Sequence, residues 1–287
     1  MVSSNRKVKV AALSIVSNTT LIILKVVAGL LSGSVSIVSE AIHSGMDLVA
    51  SIIAFLSVRV SSRPADEEHP YGHGKIENIS GLAEGLLIFI AAFLIIKESV
   101  IKLSHPAEIE ETGMAIVAMF ISAVVNIIVS RILYKVAKEE DSLALEADAL
   151  HLKTDVYTSL GVGIGLVLIK FTGISILDPI VAIAVACLIV KEAWHLCKSA
   201  LNPLLDTRLS NEEEQEIKEV IEIYKTEVIN FHKLKTRKSG NIRHIDFHMT
   251  VNEALTAKDS HKLIKKIEKD LEEKIKNIHV TVHIDHN

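Results

Sequence analysis

Glu40-Ala41-Ile42-His43-Ser44-Gly45-Met46-Asp47 interrupts an otherwise apolar block at about 35–58, and Asp148-Ala149-Leu150-His151-Leu152-Lys153-Thr154-Asp155 begins a second such block at about 146–170. The two octets are one pattern written twice: a carboxylate, two residues, His, three residues, Asp. On a helix, offsets of three and seven residues bring all three groups to one face. Two such faces pressed together present two imidazoles and two carboxylates to a single point. That N2O2 set suits tetrahedral Zn2+ and suits Cu+ poorly, because Cu+ prefers sulfur. His43, Asp47, His151 and Asp155 are therefore the expected metal ligands. Glu40 and Asp148 are placed to orient the two imidazoles as hydrogen-bond acceptors. A single histidine in an apolar helix can equally serve a hydrogen bond to a neighbouring helix, and it is the duplication that points to a metal. Ionisable groups inside a bilayer cost several kcal/mol unless partners are supplied, which makes them functional candidates.

The apolar blocks are the length a helix needs to cross ~30 Å of hydrocarbon. Six can be counted, at about 10–31, 35–58, 78–101, 112–134, 146–170 and 176–200. Each must be helical, since hydrocarbon offers no water to free backbone groups. Ser32-Gly33-Ser34 leaves room only for a tight hairpin, Thr172-Gly173 separates the last two blocks, and Asp178-Pro179 is a helix start. The chain is 49% hydrophobic with a mean hydropathy of +0.37, and it is this blockwise distribution that decides for a membrane. The N-terminal charges Arg6, Lys7 and Lys9 before an apolar run resemble a signal peptide. The run is too long, however, contains Asn18 and Lys25, and reads better as a first spanning helix. The net charge of −4 gives no reason to expect nucleic-acid binding. Cys187 and Cys197 lie ten residues apart in one block and point in different directions, so neither a disulfide nor a thiolate site is expected.

Basic residues set the orientation. Arg6, Lys7 and Lys9, then Arg59, Arg63 and Lys75, then Arg131, Lys135 and Lys138 fall on one side; the acidic loop Glu108-Ile109-Glu110-Glu111 falls on the other. The positive-inside rule puts both termini in the cytoplasm. The expected organisation is a six-helix transmembrane transport domain over 1–206, then a cytoplasmic α+β domain over 207–287. The latter reads helix 211–225, strand 228–238, strand 241–251, helix 257–274 and strand 278–285, with Ser210 as an N-cap and a turn at Ser239-Gly240-Asn241. This αββαβ order suits a small sandwich with the helices on one sheet face.

Two further clusters carry metal-ligand chemistry. Asp66, His69 and His73, at spacings of three and four in a Gly- and Pro-bent loop, can converge on one ion, the alternative being a solvated loop. In the tail, His232 and His248 lie on the first two strands, His261 on the second helix, and His283 with Asp285 on the last strand. His244 shares a strand face with His248 by the period of two, as His283 does with Asp285. Scattered surface histidines are the alternative here, and His244, His279 and His286 fit it best. Glu84 is a further intramembrane acid, open to a packing, hydration or transport role.

With its paired His-Asp helices, the run Pro64-Ala65-Asp66-Glu67-Glu68-His69-Pro70-Tyr71-Gly72-His73-Gly74-Lys75 and its tail histidines, the sequence resembles the cation diffusion facilitator family over essentially its whole length. The resemblance implies a homodimeric metal–proton antiporter, not an enzyme, that moves metal outward by alternating access. Its tail would resemble a metallochaperone. It also implies that His43, Asp47, His151 and Asp155 form the transport site, and that Asp66, His69 and His73 form a loop site. His232, His248, His261, His283 and Asp285 would form a cytoplasmic cluster partly shared across the dimer. Lys75 and Asp206 resemble a charge pair that helps lock the dimer near the membrane surface.

Many bacterial relatives of broad specificity have Asp where this chain has His43, so the expected cargo and regulatory ion is Zn2+. An exporter preferring Fe2+, Mn2+, Co2+ or Cd2+, or a metal-sensing membrane scaffold without transport, are the alternatives. A membrane metalloenzyme lacks support, because the sequence holds no His-Glu-x-x-His pair. The lean size and the lack of a targeting segment or long His-rich loop lead to the expectation of a prokaryotic plasma membrane.

Overall fold

Six long helices precede a small mixed domain: α1 (Val2–Ser32), α2 (Val35–Ser61), α3 (Lys75–Ser104), α4 (Gly113–Glu140), α5 (Leu143–Thr172) and α6 (Leu177–Leu204). This computed structural model describes residues 2–32, 35–104, 113–172, 174 and 176–286; within α2 the side chains of 35–43 and 46 lie outside that description. The expected Ser32-Gly33-Ser34 hairpin, the acidic loop at 108–111 and Gly173 also fall on residues outside it. The chain divides into two compact units, Met1–Leu201 and Asn202–Asn287.

In the first unit the usual burial order is inverted. Large apolar side chains point outward, among them Phe120, Phe171 and Trp194 at 71%, 84% and 66% exposure, while Ser14, Asn18, Ser51, Glu84 and Asp148 are buried. Apolar surface facing outward with polar groups gathered within is what a hydrocarbon solvent selects. Helices of 27 to 31 residues, roughly 40–46 Å at 1.5 Å per residue, exceed the ~30 Å core. Four stretches among the described residues are long and apolar enough to span: Asn5–Val27, Lys75–Ile101, Phe120–Glu140 and Pro179–Leu204. The other two helices, α2 and α5, are those that carry the acid and histidine triplets.

Small residues set the packing. Ala11, Ala137, Ala144 and Ala149 interleave with Leu133, Leu145 and Leu152 where α1, α2, α4 and α5 meet. Ala92, Ala147 and Ala193 do the same for α3, α5 and α6. Polar bonds fasten these contacts. Asn18 donates to Ser51 Oγ at 2.7 Å, Ser51 donates to Asp148 Oδ1 at 3.1 Å, and the Ser14 and Ser51 hydroxyls lie 2.9 Å apart. Near the helix ends Glu77 gathers Lys7 at 2.8 Å, Ser61 at 2.7 Å and Ser142 at 2.5 Å, which ties α1, α2, α3 and the α4–α5 turn together.

The second unit holds α7 (Asn211–Glu222), β1 (Val228–Ser239), β2 (Ile242–Val251), α8 (Ala257–Lys274) and β3 (Ile278–His286). Ser210 caps α7 in a full capping box with Glu213. The sheet runs β1-β2-β3, with β1 antiparallel and β3 parallel to the central strand. Ile245, Phe247, Met249 and Val251 of β2 face a core completed by Ile217, Val220, Leu263, Ile267 and Leu271 of the two helices. The alternate residues of β2, including His248, therefore lie on the opposite sheet face.

Candidate metal centres

Among the described residues, three groups of side chains bring ligand atoms within 4.8 Å of one another: Asp47, His151 and Asp155; Asp66, His69 and His73; and His232, His248 and Asp285. In the first, Asp47 rises from α2 and His151 from α5, with His151 Nε2 and Asp47 Oδ1 3.1 Å apart. Asp155 follows His151 by one turn, and Asn126 of α4 donates to its Oδ2 at 3.4 Å. Bonds of ~2.0–2.1 Å to a tetrahedral ion keep two ligand atoms about 3.3 Å apart. The Asp47–His151 spacing of 3.1 Å, a hydrogen-bond distance between a buried carboxylate and a partly buried ring, needs to open only slightly to reach it. His43 falls on α2 one turn before Asp47, but its side chain and that of Glu40 lie outside the described residues.

Asp148 does not take the expected place behind His151: its described hydrogen bond comes from Ser51, so it braces α2 against α5. Glu84 is fully buried and accepts from Ser80 at 3.2 Å. Asn126, Ser51 and Asn18 are site-lining groups that the sequence reading does not assign. Their only signal is a polar residue inside an apolar block.

The loop group is built by local backbone bonds. The His69 N–H donates to Asp66 Oδ1 at 2.7 Å and the Gly72 N–H to the His69 carbonyl at 2.9 Å, with Gly72 at φ +78. Only glycine adopts that left-handed turn cheaply. His69 Nδ1 lies 3.3 Å and His73 Nε2 3.4 Å from the two oxygens of Asp66. The His69 backbone N–H, with the rings of His73 and His69 beside it, holds the Asp66 carboxyl below the usual carboxylate range.

In the tail, His232 pairs with His248 across the strands and His248 with His283. Between His232 and Lys235, β1 carries one residue more than β2, a bulge with Lys233 at φ +53. Asp285 joins the row: its Oδ2 lies 3.1 Å from His248 Nδ1 and 3.3 Å from His232 Nε2, and its Oδ1 3.3 Å from His283 Nε2. The bond to His248, with the rings of His283 and His232 nearby, holds the Asp285 carboxyl below its ordinary range. His261 stands apart from this cluster. It is an exposed residue of α8, which packs on the other sheet face, so within one chain it cannot join these ligands. His244 is not the surface histidine expected: it is buried, 5.5 Å from the His279 ring. Burial, then the charges of Arg237 and His279, push its pKa down. Asp206 accepts from Arg237 at 3.3 Å.

Residues 11–205 match the cation efflux transmembrane domain, and residues 209–287 match the cation efflux protein cytoplasmic domain. The chain belongs to the cation diffusion facilitator family. It is 34% identical over 275 residues to an uncharacterized transporter of Synechocystis sp., covering 96% of this chain and 89% of that one. It is 33% identical over 274 residues to an uncharacterized transporter of Methanocaldococcus jannaschii, covering 95% and 96%. Against the cation-efflux pump FieF of Shewanella oneidensis it is 32% identical over 250 residues, covering 87% and 84%. The chain is thus a cation efflux transporter of the membrane, with a dimerisation domain at its C-terminal end, and not an enzyme.

Proposed function

We propose that this cation diffusion facilitator exports Zn2+ from the cytoplasm in exchange for protons, by alternating access around a site made of His43, Asp47, His151 and Asp155. The observation that carries the reading is the meeting of Asp47 and His151 at 3.1 Å between α2 and α5, with Asp155 alongside. Two neutral imidazoles and two carboxylates leave a bound divalent ion close to neutral, which lowers the cost of holding it at membrane depth. Nitrogen and oxygen donors without thiolate favour Zn2+ over Cu+. On this reading all six long helices span, and the basic residues near the helix ends support a cytoplasmic location for both termini and the C-terminal domain, at a cell membrane that is by inference a prokaryotic one.

Protons and metal compete for the same lone pairs, so metal leaves where the imidazoles are protonated. Asp66, His69 and His73 serve as a loop site at the cytoplasmic mouth. In the homodimer, His232, His248, His283 and Asp285 bind regulatory zinc on the open sheet face. His261, excluded from that cluster within its own chain, contributes from the partner. Zinc there draws the two C-terminal domains together and biases the membrane helices toward a transporting state.

Zinc titration of the purified protein between about pH 6 and 8, around the ordinary histidine value, tests the exchange. Affinity at the membrane site rises with pH under this scheme. A flat profile would remove proton competition, and competition by Mn2+, Fe2+, Co2+ or Cd2+ stronger than zinc's own binding would remove the cargo assignment.

A further inference from the structure

A cavity of about 500 Å3 opens between α4, α5 and α6, away from the three ligand groups. Four cations line it: Arg131, Lys135 and Lys138 of α4 and Lys153 of α5. Two acids face them, Glu146 and Glu192. Lys138 is committed to Glu146 at 2.6 Å, and Lys153 Nζ lies 5.3 Å over the Tyr157 ring. Arg131 and Lys135 have no ion-pair partner among the described residues, so the cavity keeps a surplus of two positive charges.

Its depth is informative. Arg131 lies nine residues before the end of α4 at Glu140, Lys153 ten after the start of α5 at Leu143, and the lining His195 nine before the end of α6 at Leu204. These are about 14–15 Å along each helix, so long basic side chains reach the headgroup region from just inside the hydrocarbon. Trp194 beside His195 is two-thirds exposed and Tyr134 half exposed, the amphipathic rings that mark a bilayer interface. Exposed Ile132, Leu188 and Leu201 on the same helices offer apolar surface for acyl chains.

We propose that this cavity binds the phosphate headgroup of an anionic phospholipid, held by Arg131, Lys135 and Lys153. The leaflet is the inner one, which rests on the orientation proposed above. A lipid there bridges three helices, one of which carries His151 and Asp155, so its occupancy couples membrane composition to the helix that holds the metal.

Native mass spectrometry of the full detergent-purified chain tests this with added phosphatidylglycerol, phosphatidylcholine and inorganic phosphate. Phosphatidylglycerol is retained and phosphatidylcholine is not. Arg131→Gln/Lys135→Gln weakens retention roughly tenfold, Lys135→Gln alone by less, and Lys198→Gln, an exposed change outside the cavity, leaves it intact. Equal retention by the double variant, or of the two lipids, would overturn the site. Inorganic phosphate that binds and is not displaced by phosphatidylglycerol would overturn the lipid as occupant. The readout needs neither zinc nor a pH gradient, so a failed transport experiment leaves it standing, and its own failure leaves the transport reading standing.

Discussion

Asp47 and His151 lie 104 positions apart in the chain and 3.1 Å apart in space, so removing either leaves the other beside Asp155 without its hydrogen-bond partner and, on the proposed function, with one ligand fewer. Asn126 stands one step further out, donating to Asp155 Oδ2 at 3.4 Å, and in the proposed site this bond would orient the carboxylate. Outer hydrogen bonds of this kind are worth roughly 10–100-fold in metal affinity. Asn126→Ala is therefore expected to weaken zinc binding at the membrane site by about tenfold while leaving the C-terminal cluster unchanged, as measured by titration of the same sample. His244 supplies a different test. Its folded pKa is depressed, so the unfolded chain binds the extra proton; the stability it contributes is present above the unfolded value of about 6.5 and is lost as pH falls below it. The C-terminal unit should lose thermal stability between about pH 7 and 5 in the presence of a chelator, and His244→Gln should flatten that slope. Further loss near pH 4 belongs to Asp285, whose pKa is also depressed.

Elements were legible where one physical signal dominates. The capping box at Ser210 and the strand alternation place α7, β1, β2, α8 and β3 within a few residues, since propensity, turn chemistry and burial agree there. Hydropathy finds the hydrocarbon part of each long helix but not its ends. For instance, α1 begins at Val2 rather than near Val10, because Arg6, Lys7 and Lys9 continue the helix in polar surroundings. The duplicated octets reveal α2 and α5 as partners, yet no spacing rule could give the network behind them, in which Ser51 donates to Asp148 across the contact of the two helices. The bulge at Lys233 is likewise invisible to a period of two, as is the cover that buries His244. Lys7 and Glu77 carry an element-scale prediction. Stranding one buried charge costs roughly 3–5 kcal/mol, whereas removing both costs less. Lys7→Met should lower the unfolding temperature by more than Lys7→Met/Glu77→Gln does, measured in one detergent.

For the whole molecule, the polar interior and apolar exterior of the first unit and the family match describe a cation efflux transporter, and the second unit adds the row of His232, His248 and Asp285 on the sheet face opposite its helices. Under the proposed mechanism, the C-terminal cluster sets when transport runs and the membrane centre decides whether it can. His232→Ala/His248→Ala is then expected to reduce transport at low zinc while leaving the membrane site able to bind; unchanged transport would leave the domain as a dimerisation module alone. In the proposed mechanism Asp47 and His151 hold the ion that crosses. Zinc uptake into proteoliposomes under an imposed pH gradient is the decisive measurement, with the native protein beside Asp47→Ala/His151→Ala. Uptake with counter-movement of protons is expected of the native protein and none of the double variant. Uptake that survives the double substitution would remove these two residues from the transport site.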